Sequence, residues 1–227
     1  MNPNKLSVYT SAQTEALREH VSHRYKADIY ANRVPQMTGG EVLECRYCDP
    51  DRKNFFESYF YTCGMGAREM PAPDGAPRRI EWMMLGNSSL DRDIVELDIE
   101  MDLIREELAR LMTLPLAPGE WYGAGHILTA SNAFTEAFGF PYLLLRGADM
   151  LVSPVELPGL GAVHFLQALP IHAEEFVWIM SHPDGAARFL SAYYYYFDGW
   201  DDIGDVNVPR NVLIPKDWGI VEAVYHE

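Results

Sequence analysis

The side chains best able to do chemistry in this chain are three cysteines, seven histidines and a dense set of carboxylates. Cys45 and Cys48 form a C-x-x-C pair. A structural zinc site needs four ligands, from two such pairs or one pair plus two spaced histidines. The remaining cysteine is Cys63, and the nearest histidine towards the C-terminus is His126. A redox pair would open a helix in a thioredoxin-like pattern; this one sits in the turn-rich stretch Met37–Lys53, ahead of Asp49-Pro50. Reduced thiols without a metal are the expectation, which fits a cytoplasmic protein. Gly64-Met-Gly66, Gly123-Ala-Gly125 and Gly159-Leu-Gly161 each begin a G-x-G, but none continues to a third glycine or a phosphate-binding lysine. They read as turns with positive φ. No G-x-S-x-G or H-E-x-x-H is present.

Candidate acid–base groups are His126, after Gly125, and His172 with Glu175, at a predicted helix start. No nucleophile stands beside His126, and acids in a first turn already complement the helix dipole. His20 and His23 lie three apart on the first helix without a matching carboxylate and read as a surface pair. Asp198, Asp201, Asp202 and Asp205, with Gly199, Trp200 and Gly204, form an acidic loop. Calcium would need an oxygen ligand at its third position, which Trp200 occupies. No metal and no cofactor is expected. The loop follows the run Tyr193–Tyr196, and aromatic groups beside charge suit either a binding surface or a helix packed on a sheet.

The elements that must position these groups are those of an α/β domain. A helix is predicted from Ser11, with Leu17, Val21, Tyr25 and Ile29 at four-residue spacing, ending near Asn32–Pro35. Phe55–Gly66 reads as an aromatic-rich strand closed by glycines, Pro71–Pro77 as a loop, and Arg79–Leu85 as a strand with Ile80, Trp82 and Met84 on one face. Ile94, Leu97, Met101, Ile104, Leu108 and Leu111 make one apolar helical stripe, capped from Ser89 or Asp91 and ended by Leu114-Pro115. Its other face is acidic and reads as solvated. Tyr142–Leu145 and Ala162–Leu169 read as strands, with Pro170 at a boundary, and Ala173–Met180 and Ala186–Phe197 as helices. The tail after Gly204 reads as loop plus short strands. With no repeat or low-complexity linker in 227 residues, one continuous domain over 1–227 is the expected organisation.

Acidic residues outnumber basic ones 33 to 18, a net charge of −15. Such a surface repels phosphates and anionic lipid, which argues against nucleic-acid and membrane partners. It either keeps the chain soluble or draws a basic partner. The first residues, Met1 to Tyr9, carry no leader pattern, and no apolar run approaches the ~20 residues a membrane helix needs.

The order of features resembles the Suppressor of fused family. The resemblance rests on Tyr61-Thr62-Cys63-Gly64-Met65-Gly66 and Met70, then Glu81-Trp82-Met83-Met84-Leu85, Glu107-Leu108 to Leu114-Pro115, and Gly125-His126. It is most specific over Gly161-Ala-Val-His-Phe165-Leu166-Gln167, Pro170-Ile171, Glu174-Glu175 and Phe189-Leu190. It implies a mixed β-sheet flanked by α-helices and no known catalytic site. Eukaryotic members bind transcription factors through this domain and a second one, for which 227 residues leave no room. Stand-alone bacterial members resemble immunity proteins that neutralise toxins by binding them. The expectation is therefore a non-catalytic binding module, an immunity protein holding a basic toxin domain. Two surfaces are candidates: a strand edge around Tyr59, Tyr61 and Met65, and the loop carrying Asp198, Trp200, Asp201, Asp202 and Asp205. The competing reading is an enzyme using His126, His172 and Glu175 as acid–base groups. The sequence leaves oligomeric state open.

Overall fold

Aromatic and branched residues at alternating positions make Phe55–Cys63 and Arg79–Ser89 good strands, because each presents one side chain in two to either face. In the computed structural model they pair antiparallel inside an eight-stranded mixed sheet. The structure describes residues 9–25, 28–34, 40–48, 55–71, 78–89, 94–114, 120–149, 151–196, 206, 210–216 and 220–224. In chain order the elements are α1 (Ser11–Tyr25), β1 (Asp28–Arg33), β2 (Glu41–Cys48), β3 (Phe55–Cys63), β4 (Arg79–Ser89), α2 (Ile94–Met112), β5 (Ile127–Thr129) and α3 (Asn132–Phe138). There follow β6 (Tyr142–Gly147), β7 (Val155–Leu157), β8 (Gly161–Ile171), α4 (Ala173–Ser181), α5 (Gly185–Tyr196), β9 (Val212–Lys216) and β10 (Ile220–Val224). The strand order is β1-β2-β3-β4-β8-β6-β5, with β7 against β8 and β9–β10 a separate hairpin. Among the described strands only the β4–β8 contact is parallel.

Both faces of the sheet are covered, so the strands are apolar on both sides. Val42, Phe60, Ile80, Trp82, Met84, Leu143 and Leu145 pack on the α2 stripe and on Phe134 of α3. Leu43, Cys45, Tyr61, Met83 and Phe165 pack on Leu17 and Val21 of α1. Further along that second face, Leu144, Leu169 and Ile171 meet α4 and α5 through Trp178, Ile179, Phe189 and Tyr193, with Leu213 of β9. Helices thus sandwich the sheet.

Most expected elements are present, and three features differ. The first helix stops at Tyr25; Ile29 lies instead in edge strand β1, opposite Cys45. The turn-rich stretch after Met37 contains β2, whose residues alternate between the two cores: Val42 towards α2, Leu43 and Cys45 towards α1. The C-x-x-C pair therefore lies on a strand. Glu107, expected on a solvated acidic face, is buried. It accepts hydrogen bonds from Arg110 at 2.6 and 3.1 Å and from the Ser131 N–H at 3.2 Å, tying α2 to the start of α3. Residues 72–77, the Pro71–Pro77 loop beyond its first member, lie outside the described residues.

Buried carboxylates join the layers, as expected where a desolvated charge must find donors. Glu44 of β2 accepts from Ser58 at 3.2 Å and pairs with Arg46 and with Arg105 of α2. Glu81 of β4 accepts from the Thr62 hydroxyl and, at 2.9 Å each, from the N–H groups of Gly64 and Gly66. It thereby fastens the glycine turn after β3. Arg79 holds the same turn from its carbonyl side, at 3.0 Å to Gly66 and 2.9 Å to Ala67. Gly66 has no room for a side chain: a Cβ would stand 2.3 Å from the Tyr9 hydroxyl.

Candidate functional site

The Trp121–His126 segment turns the chain into β5, the last strand of the sheet on that side. Ala130 donates to the Pro141 carbonyl at 3.0 Å and Leu145 to the His126 carbonyl at 2.8 Å, so even-numbered residues of β5 face β6. By the alternation of an antiparallel ladder, the N–H groups of Ile127 and Thr129 point out of the sheet. Arg110 donates to the Thr129 carbonyl at 2.8 Å. Among the described residues no strand pairs with that side of β5.

Ile127 and Leu128 of β5 help to line a groove of about 1060 Å³. The floor and near wall come from Trp121, Tyr122, His126, Ile127 and Leu128; the far wall is the α4–α5 corner, with Phe176, Ile179, Met180, His182, Asp184 and Ala186. The corner is sharp because Gly185 lies against α4, where a Cβ would meet the Ile179 carbonyl at 2.0 Å. Asp184 beside it takes a left-handed φ of 53°, uncommon for a residue with a side chain. Aromatic contacts stiffen both walls. Trp121 meets His126 at 4.7 Å, Tyr142 stacks on Phe176 at 4.1 Å, and His182 stacks on Trp178 at 4.2 Å. Met180 is 65 % exposed and its neighbour Val177 63 % exposed, so apolar surface runs from the groove onto α4. The charged side chains lining the groove are the acids Glu120 and Asp184, beside His126 and His182.

The expected site residues fall in different places. Tyr59, Tyr61 and Met65 do not form an edge: β3 is paired on both sides, by β2 and β4, and all three residues are buried. Among the described strands the order ends at β1 and β5, and β7 is paired on one side alone, by β8. Asp198, Trp200, Asp201, Asp202 and Asp205 lie outside the described residues. His126, His172 and Glu175 do not converge. His126 lines the groove, whereas His172 and Glu175 are engaged elsewhere. The Glu175 carboxylate is buried and accepts from the His172 N–H at 2.8 Å, from the Leu213 N–H at 2.8 Å and from the Arg210 guanidinium at 2.7 Å. His172 Nε2 lies 2.9 Å from the Arg210 carbonyl. These contacts use the groups to join helix, strand and hairpin. Cys45 and Cys63 are buried free thiols. Burial, assisted by Glu44, pushes the Cys45 thiol up to about 12; burial also raises Cys63. Among the described residues no cluster of His, Cys, Asp and Glu is arranged to hold a metal, and no helix is long and apolar enough to cross a membrane.

A sequence model of the Suppressor of fused protein (SUFU) family matches residues 40–198, more than half the chain. The chain belongs to the Suppressor of fused family. That match spans β2 to α5 and so contains the whole groove. Among solved structures, a putative SUFU homologue from Neisseria gonorrhoeae FA 1090 superposes with a TM-score of 0.54 at 15% identity, over 87% of this chain and 95% of that one. A Sufu–Fu complex gives 0.52 at 13%, over 82% and 85%. Drosophila Suppressor of Fused gives 0.50 at 12%; 86% of this chain covers 49% of that longer one. At these identities the structures establish the shared SUFU fold, a mixed sheet flanked by helices. No curated protein sequence matches the chain at a significant level.

Proposed function

We propose that this chain is a non-catalytic protein-binding module whose β5 groove receives an extended, basic segment of a partner as an added strand. The observation that carries this reading is the outward-facing β5 edge, whose Ile127 and Leu128 line a groove with apolar walls from Trp121, Phe176 and Met180. Main-chain donors at Ile127 and Thr129 would supply backbone pairing, and Trp121, Phe176 and Met180 would supply apolar contact. The occupant is basic because the groove's charged lining residues, Glu120 and Asp184, are acidic and the chain as a whole carries −15. Family membership and the Sufu–Fu complex support protein binding as the mode. The same charge supports the finer reading, an immunity protein that neutralises a basic toxin domain by direct binding. The acidic loop carrying Asp201 and Asp202 is the second proposed contact.

The test is capture of partners from the source organism by the parent chain and by three folded variants. Thr129→Pro removes an outward N–H without disturbing the pairing to β6, and Glu120→Lys reverses charge at the groove. Reversal at Asp201 and Asp202 addresses the loop. A basic partner retained by the parent and lost with Thr129→Pro is the expected result. Equal capture by Thr129→Pro and Glu120→Lys removes the groove; unchanged affinity and salt dependence after reversal at Asp201 and Asp202 removes the loop.

A further inference from the structure

Arg210 lies beyond residue 198, where the SUFU family match ends, yet it completes a charge cluster built from residues inside that match. Its guanidinium grips both oxygens of Glu175 in the first turn of α4. It also donates to the Pro170 carbonyl at 2.8 Å and lies over the rings of Phe140 and Tyr193, at 5.3 and 5.1 Å.

Each partner has a reason to need it. Pro170 pairs with Leu143 in a register whose backbone polar groups face away from β6, and β4 has already ended its pairing with β8 at Gln167. That carbonyl is therefore left for Arg210. Glu175 is wholly buried, and its nearby backbone donors, His172 and Leu213, supply no positive charge. The hairpin bearing Arg210 makes no ladder with the main sheet. Among the described residues the segment is tied to the body by this cluster, by the Val206 N–H on the Leu85 carbonyl, and by Leu213 and Ile214 of β9 packing against α4 and α5.

We infer that Arg210 is a latch: a positioning residue, supplied by the segment beyond the family match, that locks α4 to the end of β8 and so fixes the far wall of the groove. A planar fork between two aromatic faces suits arginine and not lysine. The importance of that wall for a partner rests on the groove reading; the lock itself does not.

Hydrogen exchange on the full chain, without partner, separates the two. Arg210→Met leaves a bare carboxylate buried, so the decisive variant is Glu175→Gln with Arg210→Met, which removes both charges. Because the His172 and Leu213 N–H groups bond different carboxylate oxygens and Gln accepts from only one of them, Glu175→Gln alone is the control that isolates Arg210. The expected result is exchange of the α4 amides from Phe176 to Ser181 faster by about tenfold or more, with β3, β4 and β8 unchanged. Arg210→Lys alone should fall between this variant and the parent. Unchanged α4 protection in the folded double variant would overturn the latch, as would an equal acceleration in every element.

Discussion

Among the described residues Glu81 is buried without a cation in hydrogen-bond contact, and its neutralisation gives a test with a defined sign. Burial holds its carboxyl above the ordinary carboxylate range, against the opposing pull of Thr62, Gly66, the nearby Tyr9 hydroxyl and Gly64. Between the ordinary value, about 4.3, and that raised value, the unfolded chain has released the proton that the folded chain keeps. Stability attributable to Glu81 is therefore complete below the ordinary value and is lost as pH rises through the window, by up to about 1.4 kcal/mol per pH unit. Glu81→Gln cannot titrate and has the shape of the protonated acid. Its carbonyl oxygen accepts from Gly64 and Gly66, and its amide donates to the Thr62 oxygen, while the Thr62 hydroxyl turns to the Trp82 carbonyl at 3.4 Å. That longer contact should cost the variant about 1 kcal/mol at pH 4.5. Urea unfolding of both proteins from pH 4.5 to 8 reads the difference, in which every other titrating group cancels. The variant should gain on the parent as pH rises. A difference that stays flat across that range would mean that these opposing groups outweigh desolvation and that Glu81 is ionised in the fold. Glu81→Leu is the control: it strands the Gly64 and Gly66 N–H groups and the Thr62 hydroxyl, at about 1–3 kcal/mol each, at every pH.

Two further outcomes follow from the same packing. Gly66→Ala drives a methyl to 2.3 Å from the Tyr9 hydroxyl and 3.4 Å from Glu81 Oε1. It should destabilise the fold by about 1–3 kcal/mol, read as a lower thermal midpoint; a midpoint equal to the parent's would show that Tyr9 yields freely. Cys45 and Cys63, buried and held protonated, should resist iodoacetamide at pH 8 and react on unfolding, as peptide mapping by mass spectrometry would show. Labelling of either at native-state rates would contradict their placement between α1 and the sheet.

Elements with a strong internal period are legible in the amino-acid sequence itself. The α2 stripe, the alternation of Arg79–Leu85 and the two helices after Pro170 each carry enough repeats to fix type and face. Pro170, expected at the strand's boundary, lies inside β8, which runs on to Ile171 against β6; a residue with no N–H is tolerated there because its backbone faces the side from which β4 has already departed. β1 and β2 escape such a reading for the opposite reason. Ile29 continues the helical spacing of α1, and β2 is flanked by turn residues, so only pairing partners distant in sequence reveal them. β5 is three residues long, too short for any period.

Residue types and order alone determine that this chain is an acidic α/β protein of the Suppressor of fused family, without the spacing of a zinc, nucleotide or serine-hydrolase site. Tertiary structure decides which groups are exposed. The tyrosines of β3 have the composition of a docking edge and lie inside the sheet; Glu175 and His172 are of types suited to acid–base work and are consumed by Arg210. The open edge is at β5, beside residues of α4 and α5 some fifty positions later in the chain. Edge or interior is a property of strand order, and strand order is set by which faces bury one another, a relation no local stretch of sequence contains.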